Sequence, residues 1–241
     1  MINVVRSIEP PVSLQSVAIC NYIEALANYK EDRERFPKPE RPPTYRDSDI
    51  LVAFDECFYS KCYLTEQKYE NSWAMDIDHF VSKNEKPELR YVWGNLYPAD
   101  HKANMMKPRR MPEGGYLDPC MEEDDVETAI LYGLSVDGEE PAFKARNSED
   151  TKAINTAKLL NYLHNGDDQE SQKNTVHLRF LIRKKYVEVL NAIIHWRDAE
   201  AEEDKFQAEI ELRRLLSRKA SFTALIRSIR PVQRLPKDFL D

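Results

Sequence analysis

Between residues 13 and 29 the apolar and aromatic positions Ile19, Tyr22, Ile23, Leu26 and Tyr29 recur at three- and four-residue steps, the period of an amphipathic helix. Residues 36–44, FPKPERPPT, break that pattern: four prolines withdraw backbone donors and forbid a regular helix, so an extended, exposed linker is expected there. Helical spacing resumes over residues 48–59, with Ser48 the candidate N-cap. From Cys57 to Arg110 the pattern becomes short and mixed. After the breakers Pro112, Gly114, Gly115 and Pro119, residues 124–131 again have helical texture, and strands are expected near Leu134 and Phe143.

The last third reads as a succession of helices, over residues 155–163, 172–196, 203–216 and 222–229, the last one ending before Pro231. In the longest, Leu178, Ile182, Tyr186, Val189, Leu190 and Ile193 share a face, which leaves Arg179, Arg183, Lys184 and Lys185 elsewhere on a face read as solvated, with a substrate or partner surface as the alternative. Asn155 is a candidate helix cap, Asn165-Gly166 a helix stop through a left-handed residue, and Trp196 beside His195 a packing group; none is assigned chemistry. The fold expected is mainly α with one small mixed module, an α+β chain.

Composition narrows the class. With 41% hydrophobic and 32% charged residues the 241-residue chain can bury a sizeable core and needs no disordered tail. No signal-like segment and no run of about 18 apolar residues is visible, so a cytoplasmic location and no membrane partner are expected. Cys20, Cys57, Cys62 and Cys120 are spread out with no Cys-x-x-Cys pair, and reduced thiols are expected. The net charge of -7 argues against tight, unaided gripping of nucleic acid, because phosphate binding relies on Lys and Arg. The acid is concentrated at residues 122–127, 137–140 and 198–204, which leaves other segments basic.

The candidate chemistry lies between residues 76 and 110. Asp76-Ile77-Asp78-His79-Phe80 places an acid directly before a histidine at an expected strand end; Asn95-Leu96 follows, and nine positions after Asn95 comes Asn104-Met105-Met106-Lys107. A carboxylate and an amide oxygen suit a hard divalent ion that keeps several waters, and a histidine with a pKa near 6.5 can take a proton from water at cellular pH. Lys107, Arg109 and Arg110 are either phosphate contacts or ordinary surface charge.

Asp-His, then Asn-Leu, then Asn-x-x-Lys resembles the pattern of the HNH, or ββα-metal, nucleases, in which a hairpin precedes a helix. The resemblance implies a metal-dependent endonuclease that hydrolyses phosphodiester bonds of DNA or RNA, with Asp78 and Asn104 holding Mg²⁺ or Mn²⁺, His79 as general base and Asn95 bracing the loop. It implies three segments: an N-terminal helical extension with its Pro-rich linker (1–47), the HNH module (48–130) and a C-terminal helical region (131–241). Many members carry a zinc knuckle of two Cys-x-x-Cys pairs. Here Cys62, Thr65, Asp100 and Ala103 stand at those places, which cannot make a tetrahedral site, and a respaced set of Cys57, Cys62, Asp100 and His101 is disfavoured. No structural zinc is expected; Phe58, Tyr63, Phe80, Trp93 and Leu96 are expected to hold the hairpin by packing.

Further landmarks resemble the Septu-type and retron-associated HNH effectors of bacterial anti-phage systems: Val4-Val5-Arg6-Ser7 before residues 10–14, Phe58-Tyr59-Ser60-Lys61-Cys62-Tyr63, residues 89–96 (LRYVWGNL), Leu117-Asp118-Pro119 and Asp125-Val126-Glu127. That resemblance implies an ATPase partner protein that controls the nuclease and, for the retron-associated members, a reverse transcriptase with its DNA/RNA. The alternative is a catalytically inactive HNH-like scaffold that binds an ATPase or nucleic acid.

Overall fold

The structure, a computed structural model, describes residues 1–6, 9–42 and 45–241. Ser7 and the last two positions of the expected linker, Pro43 and Thr44, lie outside the described residues. About 51% of the chain is helical and two small antiparallel sheets accompany the helices, so the class is mixed α+β, mainly α. None of the described helices is long and apolar enough to cross a membrane.

The first expected helix divides: a 3-10 turn, Val12–Gln15, precedes α1 (Val17–Glu31), which buries Ile19, Tyr22 and Leu26 but leaves Ile23 exposed. Next comes α2 (Ser48–Phe58). Its N-cap position falls to Asp47 rather than Ser48, and it stops where Tyr59 and Ser60 take left-handed backbone, at φ 58° and 57°. Two four-residue strands, β1 (Asp76–His79) and β2 (Leu96–Ala99), pair antiparallel with Asp78 opposite Tyr97 and His79 opposite Leu96; α3 (His101–Met106) follows directly. The side chain of Asp100 caps α3 by accepting from Ala103 N.

Residues 124–131 do not form one helix. Asp125 caps a single turn, α4 (Val126–Ala129), after which Ile130 starts β3 (Ile130–Leu134), paired with β4 (Pro141–Ala145). Cross-strand packing of Tyr132 on Phe143 outweighs the local helical preference. The helical third comprises α5 (Thr151–Asn165), α6 (Gln169–Asp198), α7 (Glu202–Leu216), α8 (Thr223–Ser228) and α9 (Arg230–Gln233). α8 ends before Pro231 as expected, and Pro231 then sits in the first turn of α9, where its missing N–H costs nothing. Asp150, not Asn155, caps α5; the Asn155 amide binds the carbonyls of Glu113 and Gly115. Lys185, expected on a solvated face, is only 8% exposed.

Gly166 ends α5 at φ 68°, and a Cβ there would lie 2.5 Å from Gln172 N and 2.7 Å from Ser171 C. Gly166→Ala therefore meets both a disfavoured dihedral and a backbone clash at the α5–α6 corner. It is expected to lower stability by about 1–3 kcal/mol, read as a lower urea midpoint; an unchanged midpoint refutes the reading.

One buried cluster runs through all three sequence segments, from Ile2 and Leu26 through Phe54, Tyr97 and Leu117 to Leu160, Ile182 and Leu225. At the hairpin its hub is Tyr97, fully buried, with ring centroids 4.6 Å from Tyr63, 5.4 Å from Phe80 and 5.8 Å from Phe58. Arg6 closes this cluster: its guanidinium lies 4.4 Å from the Tyr97 ring centroid and 4.6 Å from that of Trp93, and it donates to the carbonyls of Leu96 (2.9 Å) and Trp93.

Candidate functional site

Strand periodicity sets the site. Side chains two apart on β1 share a face, so Asp76 and Asp78 point together toward α3 and the residue after it. Asp76 Oδ2 accepts from Asn104 Nδ2 at 3.0 Å and pairs with His101 Nδ1 at 2.9 Å. One step along, Asp78 Oδ2 accepts from Lys107 Nζ at 2.6 Å and from the Tyr63 hydroxyl at 2.5 Å. The helix spacing 101, 104, 107 thus matches the strand spacing 76, 78. Burial and the Asp78 charge push the Tyr63 phenol well above its usual range, so it remains a donor.

His79, on the other face of β1, is 7% exposed. Its Nε2 lies 3.0 Å from the Arg90 carbonyl, which can only accept, so Nε2 carries the proton and Nδ1 presents a lone pair. Among the described residues Nδ1 has no hydrogen-bond partner. Burial lowers the imidazole pKa to about 4; the cations Lys83 and Arg90 add to this, while the Arg90 carbonyl and Asp78 oppose it. The Tyr45 ring stands edge-on to it, with centroids 5.1 Å apart.

Asn95 is buried at the end of the β1–β2 connection. Its amide accepts from Val81 N (2.7 Å) and donates to the carbonyls of Val81 (3.0 Å) and Leu89 (3.1 Å), stitching together the loop whose Arg90 carbonyl orients His79. Asn95→Ala leaves these buried backbone groups without partners and is expected to cost about 2–4 kcal/mol in urea unfolding. Asn95→Asp keeps the bond from Val81 N but sets a carboxylate oxygen against the carbonyls of Val81 and Leu89 in a buried site, so it should lose at least as much as alanine; equal stability of all three proteins would refute the bracing role.

A cavity of about 320 Å³ brings together Asp78, His79, Asn104, Lys107 and Arg109. It does not include Arg110, which is exposed, or Asn95, which acts from behind the loop. Lys107 is itself buried, and its ammonium protons go to Asp78 Oδ2 and to the carbonyls of His79 (3.0 Å) and Phe80 (3.1 Å), so in this arrangement the phosphate contact expected of it is not open. Lys83, absent from the sequence expectations, is half-buried, donates to the Tyr45 hydroxyl at 3.1 Å and lines the cavity with the exposed Arg109. The role of Asp76 was also missed, although its place two residues before Asp78 in a strand was the available signal.

Among the described residues no group of three or more His, Cys, Asp or Glu is placed to hold a metal ion. Cys62 is fully buried and accepts from Thr65 N at 3.5 Å, while Asp100 is engaged by Ala103 N and the Tyr69 hydroxyl. Among the described residues no hydrogen bond reaches Oδ1 of Asp78 or Oδ1 of Asn104, the two residues that line the cavity with a free oxygen. A hard divalent cation that retains most of its water needs only one or two protein oxygens, so this donor set fits Mg²⁺ or Mn²⁺. Comparison of the chain with protein-family models, with curated proteins and with solved structures gave no match, so its reading rests on its own geometry.

Proposed function

We propose that the chain is a metal-dependent endonuclease of the HNH type, hydrolysing phosphodiester bonds of DNA or RNA. The observation that carries this reading is the cavity that Asp78, Asn104 and an orientated, neutral His79 line together. Asp78 and Asn104 would hold Mg²⁺ or Mn²⁺, which when bound supplies charge neutralisation at the phosphate and the leaving oxygen. Nδ1 of His79 takes a proton from water as that water attacks phosphorus, and the Arg90 carbonyl, already bonded to Nε2–H, stabilises the imidazolium that results. Lys107 and Tyr63 fix the orientation of the Asp78 carboxylate by holding Oδ2. Lys83 and Arg109 attract the substrate phosphates. With the resemblance of its landmarks, the reading extends to an anti-phage effector controlled by an ATPase partner.

One observation favours the scaffold alternative: Asp78 is already paired with an ammonium. The same experiment separates the two. Plasmid DNA and RNA are incubated with the chain, alone and with its ATPase partner, in Mg²⁺ or Mn²⁺ and in EDTA. The nuclease reading expects divalent-dependent cleavage that is lost in Asn104→Ala, a half-buried position on α3 whose truncation removes little packing. No cleavage of either substrate with the partner present would leave the scaffold.

A further inference from the structure

A second cavity, of about 450 Å³, opens where α6, α7, the α7–α8 connection and the loop bearing Lys68 meet; it shares no lining residue with the hairpin cavity. Lys68, Lys185, Arg214 and Lys219 line it, with Glu188 as the one acid. An adjoining hollow of about 190 Å³ shares Lys68, Lys185 and Glu188 and adds Lys184, so the two form one trough. Five cations therefore gather on a chain whose net charge is -7, faced by two carboxylates: Glu188, and Glu211, which holds Arg214 at 2.7 Å.

The balance inside the trough is incomplete. Lys185 is 8% exposed, yet its one partner among the described residues is Glu188 Oε2 at 3.4 Å, a carboxylate that is itself half-exposed and shared with Arg214 at 3.9 Å. A nearly buried ammonium with one long contact lacks the compensation that burial of a charge requires. Lys68 Nζ donates to the Lys219 carbonyl at 2.7 Å, which draws a second pair of cations to one rim. Burial lowers the pKa of Lys185, and burial together with Lys219 lowers that of Lys68, the response of cations short of counter-charge. Among the described residues lining the trough the one aromatic ring, Phe222, is 3% exposed and offers no face for a base, and the neighbouring Tyr59 ring is engaged by Lys219 Nζ, 5.7 Å from its centroid. Cations without a stacking platform recognise phosphate rather than nucleobase.

We propose that this trough binds the phosphate backbone of a nucleic-acid strand, as a site separate from the hairpin cavity. It supplies a second local positive surface, besides Lys83 and Arg109 at the hairpin cavity, on a chain that is acidic overall. The test is fluorescence anisotropy of a labelled 20-nucleotide single strand and the matching duplex with the full chain, in EDTA, over a salt series. Lys68→Gln/Arg214→Gln/Lys219→Gln, all exposed positions, is expected to weaken binding at least about 10-fold at low salt and to reduce the slope of log affinity against log salt by about 2 to 3. The charge-matched control Lys158→Gln/Lys173→Gln/Arg197→Gln should stay within about twofold of the parent, and Lys185→Gln should weaken binding too if circular dichroism shows it folded.

Equal binding by the triple variant and its control overturns the proposal. Displacement by poly-glutamate as effective as by unlabelled oligonucleotide would make the trough a docking site for an acidic protein instead, and displacement by ATP at equal phosphate concentration would make it a nucleotide site. Because the measurement contains no divalent ion and reads binding alone, its failure leaves the cleavage reading standing, and the absence of cleavage leaves this one standing.

Discussion

His79→Ala is expected to lower divalent-dependent phosphodiester cleavage by about 10²–10⁴-fold, the range that general acid–base groups contribute. The expectation follows from one hydrogen bond: Nε2–H is held by the Arg90 carbonyl at 3.0 Å, which leaves the Nδ1 lone pair as the proposed base. Alanine removes the imidazole while leaving Lys107 and Tyr63 on Asp78, so that carboxylate is undisturbed. Loss of a buried ring also removes packing against Tyr45, so the variant is to be assayed only below its own unfolding transition. Asn104→Ala, which removes an amide oxygen from a half-buried position, gives a second variant free of that complication. Rates unchanged in both would sink the assignment, whatever substrate is used.

Folding stability is expected to fall continuously from about pH 6.5 to pH 2, by the sum of three buried groups, His164, His79 and Glu66. His164 is fully buried, its Nδ1–H donating to the Leu160 carbonyl at 2.7 Å and its ring against Phe143, and burial lowers its pKa from 6.5 to about 4. Between those values the unfolded chain binds a proton that the folded chain refuses. Its contribution is therefore whole above pH 6.5 and is lost as pH falls to 4, a change of about 3 kcal/mol. His79 acts in the same window.

Glu66 acts lower on the scale. Burial alone would raise its pKa, but the α-ammonium of Met1 at 3.1 Å and Lys61 at 3.3 Å outweigh this and hold it at about 2, below its usual 4.5. Its stabilising contribution is present above pH 4.5 and is lost as pH falls toward 2. Urea unfolding between pH 2 and 8 checks both windows. His164→Leu should reduce the slope between pH 6.5 and 4 by about half, since His79 still titrates there. Glu66→Gln should cost about 3–5 kcal/mol at pH 7, because Lys61 would remain buried among the carbonyls of Arg218 and Ala220 without its counter-charge. An unaltered slope in the first variant, or a loss under about 1 kcal/mol in the second, would contradict the corresponding argument.

What the chain determined by itself was periodicity and punctuation. The 3.6-residue spacing was legible from Ile19 to Leu26 and from Leu178 to Ile193; the helix stop at Gly166 and the strands near Leu134 and Phe143 were also visible, because these signals are local. The sequence also singled out Asp78, His79 and Asn104, which line one cavity. Tertiary structure decided the rest. Whether residues 124–131 form a helix or enter a strand depended on β4, 11 or more positions away at its start from Ile130. Lys107 and Lys185 carried the same pattern signal as any exposed lysine. Only the placement of Asp78 beneath one, and of the α6–α7 trough around the other, took both out of water. Tyr97 as the hub of the hairpin core, with Arg6 closing it across some 90 residues, was likewise invisible, because contact partners that distant leave no periodic trace in the chain. A hydrophobic period reports which face of an element is buried; which ionisable group meets which partner is set by long-range packing, and the chemistry depends on the latter.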